Sequence, residues 1–239
     1  MATAHVLSLT LPISFLAFIF SSTFLAYNIH FVFNIYRKKR DVILLCFAVI
    51  LWVASTCFYL IDAANAEVVY IGVVLSCIMA VYYLPSKINL RSTPYLKSLT
   101  IATAWAIATV WMPIAATKGN LFSFDANLLF AERLFFVWAI SIPFDIKDLK
   151  EDRQSGLVTL PMMYGLRKCL LLSVIILMLH VLVTYFHYGF GRLFFVRIVT
   201  AWYVIIVIQG ISRNRPKYYY TGAIDGSMLL QPLLTMAIV

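Results

Sequence analysis

The chain has 239 residues, 63% of them hydrophobic and 12% charged, with a formal net charge of +9 and a mean hydropathy of +0.91. Soluble domains run at about 45–50% apolar and about 25% charged, so the composition excludes a soluble globular domain and describes an integral membrane protein. Few turn signals and little alternation exclude a β-barrel, and basic residues gathered between apolar runs exclude a nucleic-acid-binding face.

In chain order the apolar segments fall at 9–34, 42–61, 68–85, 99–116, 127–144, 169–187, 193–211 and 222–239. Segments of about 18–25 residues can cross a hydrocarbon core of about 30 Å as helices. The expectation is an all-α polytopic membrane bundle of about eight transmembrane helices, one domain over 1–239. The first segment lacks a basic lead and stays apolar to Phe33 before "YRKKRD", which reads as a span rather than a cleavable leader. The second and third form a hairpin around "DAANAE". Cys46, Cys57, Cys77 and Cys169 share no metal-ligand spacing and read as packing residues.

With the N-terminus outside, fifteen of the nineteen basic residues fall in the inside connections, and only Lys118, Arg133, Arg192 and Arg197 lie elsewhere. This asymmetry places those connections, 36–41, 86–98, 145–168 and 212–220, in the cytoplasm, as expected of a cell (inner) membrane protein. The basic residues are accounted for by topology and by contact with anionic lipid.

The fifth segment carries Glu132 and Arg133, thirteen residues before Asp145. On a helix that is about 20 Å, close to the other membrane face, which suits a structural ion pair or an interfacial anchor. The same segment runs without a break through Pro143 into "FDIKDLKEDRQSGLVTLP", where four of the chain's ten acidic residues occupy 145–152. On a helix Asp145, Asp148 and Asp152 fall within about 60° of one another, with Lys147 and Lys150 opposite. Three carboxylates within two turns repel; water can screen them in a mixed-charge loop, or a hard divalent cation such as Mg²⁺ can bind them. Gly156, Thr159, Pro161 and Gly165 fit a short, sharply turned return into the bundle. Asp225, at the start of the last segment, is able to approach the same mouth.

The stretch "DIKDLKEDRQSGLVTLPMMYG" resembles the second aspartate-rich motif of the UbiA superfamily of intramembrane prenyltransferases, in both its DxxDxxxD spacing and the GxxTLP that follows. "YLPSK", Tyr83 to Lys87, has that family's YxxxK form, with Arg91 and Lys97 after it. The resemblance covers roughly residues 15–239. It implies a UbiA-like bundle around a lateral, lipid-accessible cavity, and transfer of a polyprenyl group from a prenyl diphosphate to a lipid-soluble acceptor, commonly an aromatic ring. Carried over by position, Asp145, Asp148 and Asp152 are the catalytic acids and Mg²⁺ ligands. Tyr83, Lys87 and Arg91 become diphosphate contacts. The implied partners are the bilayer and the prenyl diphosphate, with no nucleic acid; protein partners are not legible.

The place of the family's first aspartate-rich motif is "YNIHFVFNIYRKKRD". There Asn28 stands opposite Asp145, Phe31 opposite Asp148 and Ile35 opposite Asp152. One carboxylate has become an amide and two positions are apolar, leaving Asn28 as a neutral oxygen ligand or hydrogen-bond donor for the diphosphate. His30 and Asn34 are polar neighbours that do not restore the pattern. Retention of DxxDxxxD, GxxTLP and YxxxK favours an Mg²⁺-dependent enzyme. Loss of the first motif favours a non-catalytic isoprenoid- or lipid-diphosphate-binding membrane protein derived from such enzymes.

Overall fold

The computed structural model describes residues 2–29, 39–63, 65–83, 93–154, 156–212 and 215–238, and the regular structure among them is helical. After a short α1 (Ala2–Val6) come α2 (Ile13–Ile29), α3 (Lys39–Ala63) and α4 (Ala66–Tyr83). The next rod is α5 (Pro94–Ala106), a π-helical turn (Ile107–Trp111) and α6 (Met112–Ala116). It is followed by α7 (Phe124–Lys147), the short α8 (Leu149–Gln154) and α9 (Leu160–Tyr164), and then α10 (Leu166–Tyr188) and α11 (Arg192–Gln209). The last rod joins α12 (Lys217–Tyr219), a second π turn (Tyr220–Ile224) and α13 (Asp225–Ile238). Each of the eight expected spans thus has a helical rod in its place.

Among the described residues four stretches are long and apolar enough to cross a membrane by length and composition alone: Asp41–Ala63, Pro94–Ala116, Leu166–Tyr188 and Arg192–Gln209. Ile13–Ala26 and Ala66–Tyr82 are apolar but shorter. α7 has the length and carries Asp125, Glu132, Arg133, Asp145 and Lys147. Large apolar side chains face outward, among them Ile61, Leu171, Trp202 and Ile206. That arrangement suits hydrocarbon rather than water.

Among the described residues three apolar clusters organise the bundle, the smallest formed by Val110, Ile114, Ala126 and Leu129. Another joins α2, α3, α4 and the π turn through Phe15, Tyr59, Val68, Ile71 and Ile107. The largest surrounds α7, with Phe136, Ile140 and Ile142 packed among Ile176 and Leu177 of α10 and Val204 and Ile208 of α11. α7 is therefore the central element, and whatever its ends carry is held by its neighbours.

Prolines inside rods leave carbonyls without their helical donor, a cost that must be met internally where no water reaches. Pro143 withdraws a donor from Ala139, and the Ser173 hydroxyl of α10 donates to that oxygen. Pro113 does the same to Thr109, and Thr3 Oγ1 of α1 donates to Thr109 O at 2.5 Å. The two prolines thereby become contacts between elements.

At the end of α7 remote from Asp145 lies a buried polar network. Arg197 Nε of α11 donates to Glu132 Oε1, and Arg197 Nη1 donates to Thr235 Oγ1 at 2.6 Å. Arg133 Nη1 donates to Gln231 Oε1 at 3.0 Å, and His180 Nδ1 lies 3.0 Å from the Glu132 carbonyl oxygen. Glu132 thus takes part in an ion pair, as expected, but its partner is Arg197 on another helix rather than the adjacent Arg133.

Candidate functional site at the acidic end of the central helix

α7 ends at Lys147, and Asp148 caps it with φ −91° and ψ 5°, its N–H donating to Phe144 O at 2.9 Å. The Asp152 N–H donates to Asp148 O at 2.8 Å, so α8 continues almost in line. The chain then returns through Gly156 and Gly165, at φ +69° and +78°, where a Cβ would be strained. Between them Thr159 is fully buried at the start of α9, where its carbonyl accepts from the Met162 and Met163 N–H groups, and Pro161 sits in that helix's first turn. The turned return read from these residues is the one observed.

The acidic stripe is divided. Asp145 and Asp152 face inward, each 3% exposed, while the Asp148 side chain is 33% exposed with Lys147 Nζ 3.5 Å from its Oδ1. Between the two buried carboxylates lies Lys97, whose Nζ is 2.9 Å from Asp145 Oδ1 and 2.7 Å from Asp152 Oδ2. Two like charges taken out of water need a cation at close range, whereas the third stays where water screens it.

Lys97 owes its position to the start of α5. Thr93 is extended, Pro94 opens the helix, and the Lys97 N–H donates to Thr93 O at 3.0 Å. One residue on, Ser98 Oγ accepts from Trp138 Nε1 at 3.2 Å and ties α5 to α7. Two residues before it, the Tyr95 hydroxyl donates to that of Tyr164 on α9. In the sequence Lys97 reads as one of the basic residues of the connection 86–98, following YxxxK and preceding the next apolar segment. Its partners are 48 and 55 residues away and could not be read locally.

Two clefts lie on residues neighbouring the cluster in sequence, and Lys97, Asp145, Asp148 and Asp152 line neither of them. One, of about 340 Å³, is lined by Tyr95, Tyr164 and Lys168 together with apolar residues including Leu171 and Ile175. Leu171 and Ile175 are 60% and 50% exposed, so this cleft opens on the outer surface of α10, one of the apolar helices of spanning length. The other, of about 240 Å³, is lined by Lys147, Lys150 and Arg153 with Ile146 and Leu149, on the basic side of the motif.

Among the described residues no three His, Cys, Asp or Glu side chains come together closely enough to hold a metal ion. Mg²⁺ does not require such a cage: it keeps several waters and is bound by one or two carboxylates plus substrate phosphates. The donors for that arrangement are present. Asp145 Oδ2 is buried and has no hydrogen-bond partner, and Asp148 stands three residues away at the more exposed edge. The residues fit one ion shared with a diphosphate rather than an ion caged by three acids.

Asn28, near the end of α2, is buried and donates Nδ2 to Phe24 O at 2.7 Å, which ties its amide to its own helix. Tyr83 ends α4, and its side chain is outside the described set, as are Lys87, Arg91, His30, Phe31, Asn34 and Ile35. Asp225 lies within electrostatic reach of Lys147, at the same end of the bundle as the motif.

No curated protein and no solved structure matches this chain. The family model described as the UbiA prenyltransferase family matches residues 37–218, which includes Lys97 and the whole acidic stretch but begins after Asn28. With well over half of its length covered by that match, the chain belongs to the UbiA prenyltransferase family of polytopic helical membrane proteins.

Proposed function

We propose that the protein transfers a prenyl group from a prenyl diphosphate to a lipid-soluble acceptor, an aromatic ring being the fitting class. The observation that carries this reading is a buried, charge-compensated acidic cluster on Lys97 with an apolar cleft on the nearby Tyr95. A prenyl diphosphate has the same two halves. Its apolar chain suits the cleft of Leu171 and Ile175, and its anionic head suits the end where Asp145, Asp148 and Asp152 meet Lys97 and Lys147.

Ionisation breaks the allylic C–O bond, with the electron pair leaving on the diphosphate. The allylic cation is captured by a ring carbon of the acceptor, which then loses its proton. Charge that develops on the leaving oxygens must be met by positioned cations and donors. Mg²⁺ would be held by Asp145 and Asp148, with Asp152 completing the acidic set; when bound it would neutralise diphosphate oxygens. Lys97 orients the two buried carboxylates, and the apolar cleft keeps water from the cation. On the strength of the family motif, Tyr83, Lys87, Arg91 and Asn28 are further diphosphate contacts. The excess of basic residues in the connections supports a cytoplasmic position for this end of the bundle in the cell membrane.

The test is incubation of the purified protein with a panel of prenyl diphosphates and Mg²⁺, with and without aromatic acceptors, and measurement of diphosphate release. Mg²⁺-dependent release is expected, and Asp148→Asn should weaken Mg²⁺–diphosphate binding by about 1–3 kcal/mol. Because apolar Phe31 and Ile35 replace the first motif's acids, binding without release supports the second reading, a non-catalytic isoprenoid- or lipid-diphosphate-binding membrane protein derived from the prenyltransferases. No Mg²⁺-dependent binding would remove both readings.

A further inference from the structure

Lys97 is 7% exposed, and its ammonium has three donors. Two go to Asp145 Oδ1 and Asp152 Oδ2, and the third has no acceptor among the described residues. Beside it, Asp145 Oδ2 is a buried acceptor with no donor. The two carboxylates and one ammonium sum to a buried charge of −1. A bare anion would satisfy the leftover N–H and be repelled by the leftover carboxylate oxygen. A bare cation would do the reverse. A diphosphate carrying a divalent cation satisfies both at once, its oxygen on the ammonium and its metal on Asp145.

We propose that Lys97 is a substrate-binding residue, a cation built into the acidic motif that takes a diphosphate oxygen while Asp145 and Asp152 fix its direction. This rests on the prenyl diphosphate reading and adds a contact to it. It also gives a reason for the unequal burial of the three acids. Asp145 and Asp152 are buried because they position a lysine, whereas Asp148 stays at the edge where a hydrated ion can reach it.

The full-length protein in detergent is titrated with inorganic diphosphate, with and without Mg²⁺, and thermal unfolding is followed in parallel. Lys97→Met is expected to weaken Mg²⁺–diphosphate binding about tenfold to hundredfold, the scale of one charge-assisted hydrogen bond, and Lys97→Arg to retain part of it. Lys97→Met also strands two buried carboxylates and is expected to lower thermal stability. The deciding comparison is therefore Lys97→Met combined with Asp152→Asn against Asp152→Asn alone, because Asp152 belongs to the acidic set and its loss must be common to both arms. The pair leaves one bare buried carboxylate where Lys97→Met leaves two, so it is expected to regain part of the thermal stability. If Lys97 binds substrate, the pair binds Mg²⁺–diphosphate about tenfold to hundredfold more weakly than Asp152→Asn alone. If Lys97 is only a structural counter-ion, the two bind alike and the proposal is overturned. Loss of binding in Asp148→Asn alongside equal binding in those two variants would leave the prenyl diphosphate reading standing without Lys97. Absence of binding in the unaltered protein would remove the reading itself.

Discussion

Glu132 and Arg197 have almost no exposed surface, and each is the other's compensation. Removing one member of such a pair leaves a bare charge in the interior, which costs about 3–5 kcal/mol, whereas removing both leaves apolar or neutral groups that often pack as well. Arg197→Met should accordingly lower the unfolding temperature in detergent by much more than Glu132→Gln combined with Arg197→Met. A double variant as unstable as the single one would show that the network acts through hydrogen bonds rather than charge. The sequence leaves Glu132 as a structural ion-pair partner or an interfacial anchor and does not say which arginine it meets. Adjacent residues on a helix point about 100° apart, so Arg133 turns to Gln231 instead. Lys97 was hidden for a related reason. Ion pairs between helices leave no trace in local spacing, whereas GxxTLP and the glycines that turn the chain at φ +69° and +78° are local and could be read.

Among the elements, α7 carries most of the design, since it holds the ion network near one end and the acidic motif at the other. Its proline is tolerated through Ser173, whose hydroxyl replaces the donor that Pro143 withholds from Ala139. Ser173→Ala should therefore destabilise by about 1–3 kcal/mol, because it leaves a buried carbonyl bare. In a Pro143→Ala background the same change should cost less than half as much, since the helix then supplies its own donor. Equal costs in the two backgrounds, measured as a double-mutant cycle on chemical unfolding, would sink this account. The rods themselves were legible from apolar length. Their interior caps were not, because Thr3 and Ser173 are 106 and 34 residues from the carbonyls they serve. The acidic stripe was half legible: its spacing is helical, but burial selects Asp145 and Asp152 and leaves Asp148 at the edge.

For the whole molecule, charge asymmetry sets orientation. Cysteine introduced at Lys150, beside the acidic motif, should react with membrane-impermeant reagent only after cells are opened. Cysteine at Lys118, at the far end of the preceding loop, should react from outside. The opposite pattern would overturn the cytoplasmic placement of the acidic motif. The Glu132–Arg197 pair has a consequence for how the protein is made. Its members are 65 residues apart, and synthesis runs at about 5–20 residues per second, so α7 emerges roughly 3–13 s before α11 can neutralise it. A helix bearing uncompensated Glu132 and Arg133 is a poor candidate to be released alone into lipid. The nascent α7 should linger at the insertion machinery until its partner arrives, and the second half of the bundle should enter the membrane as one unit.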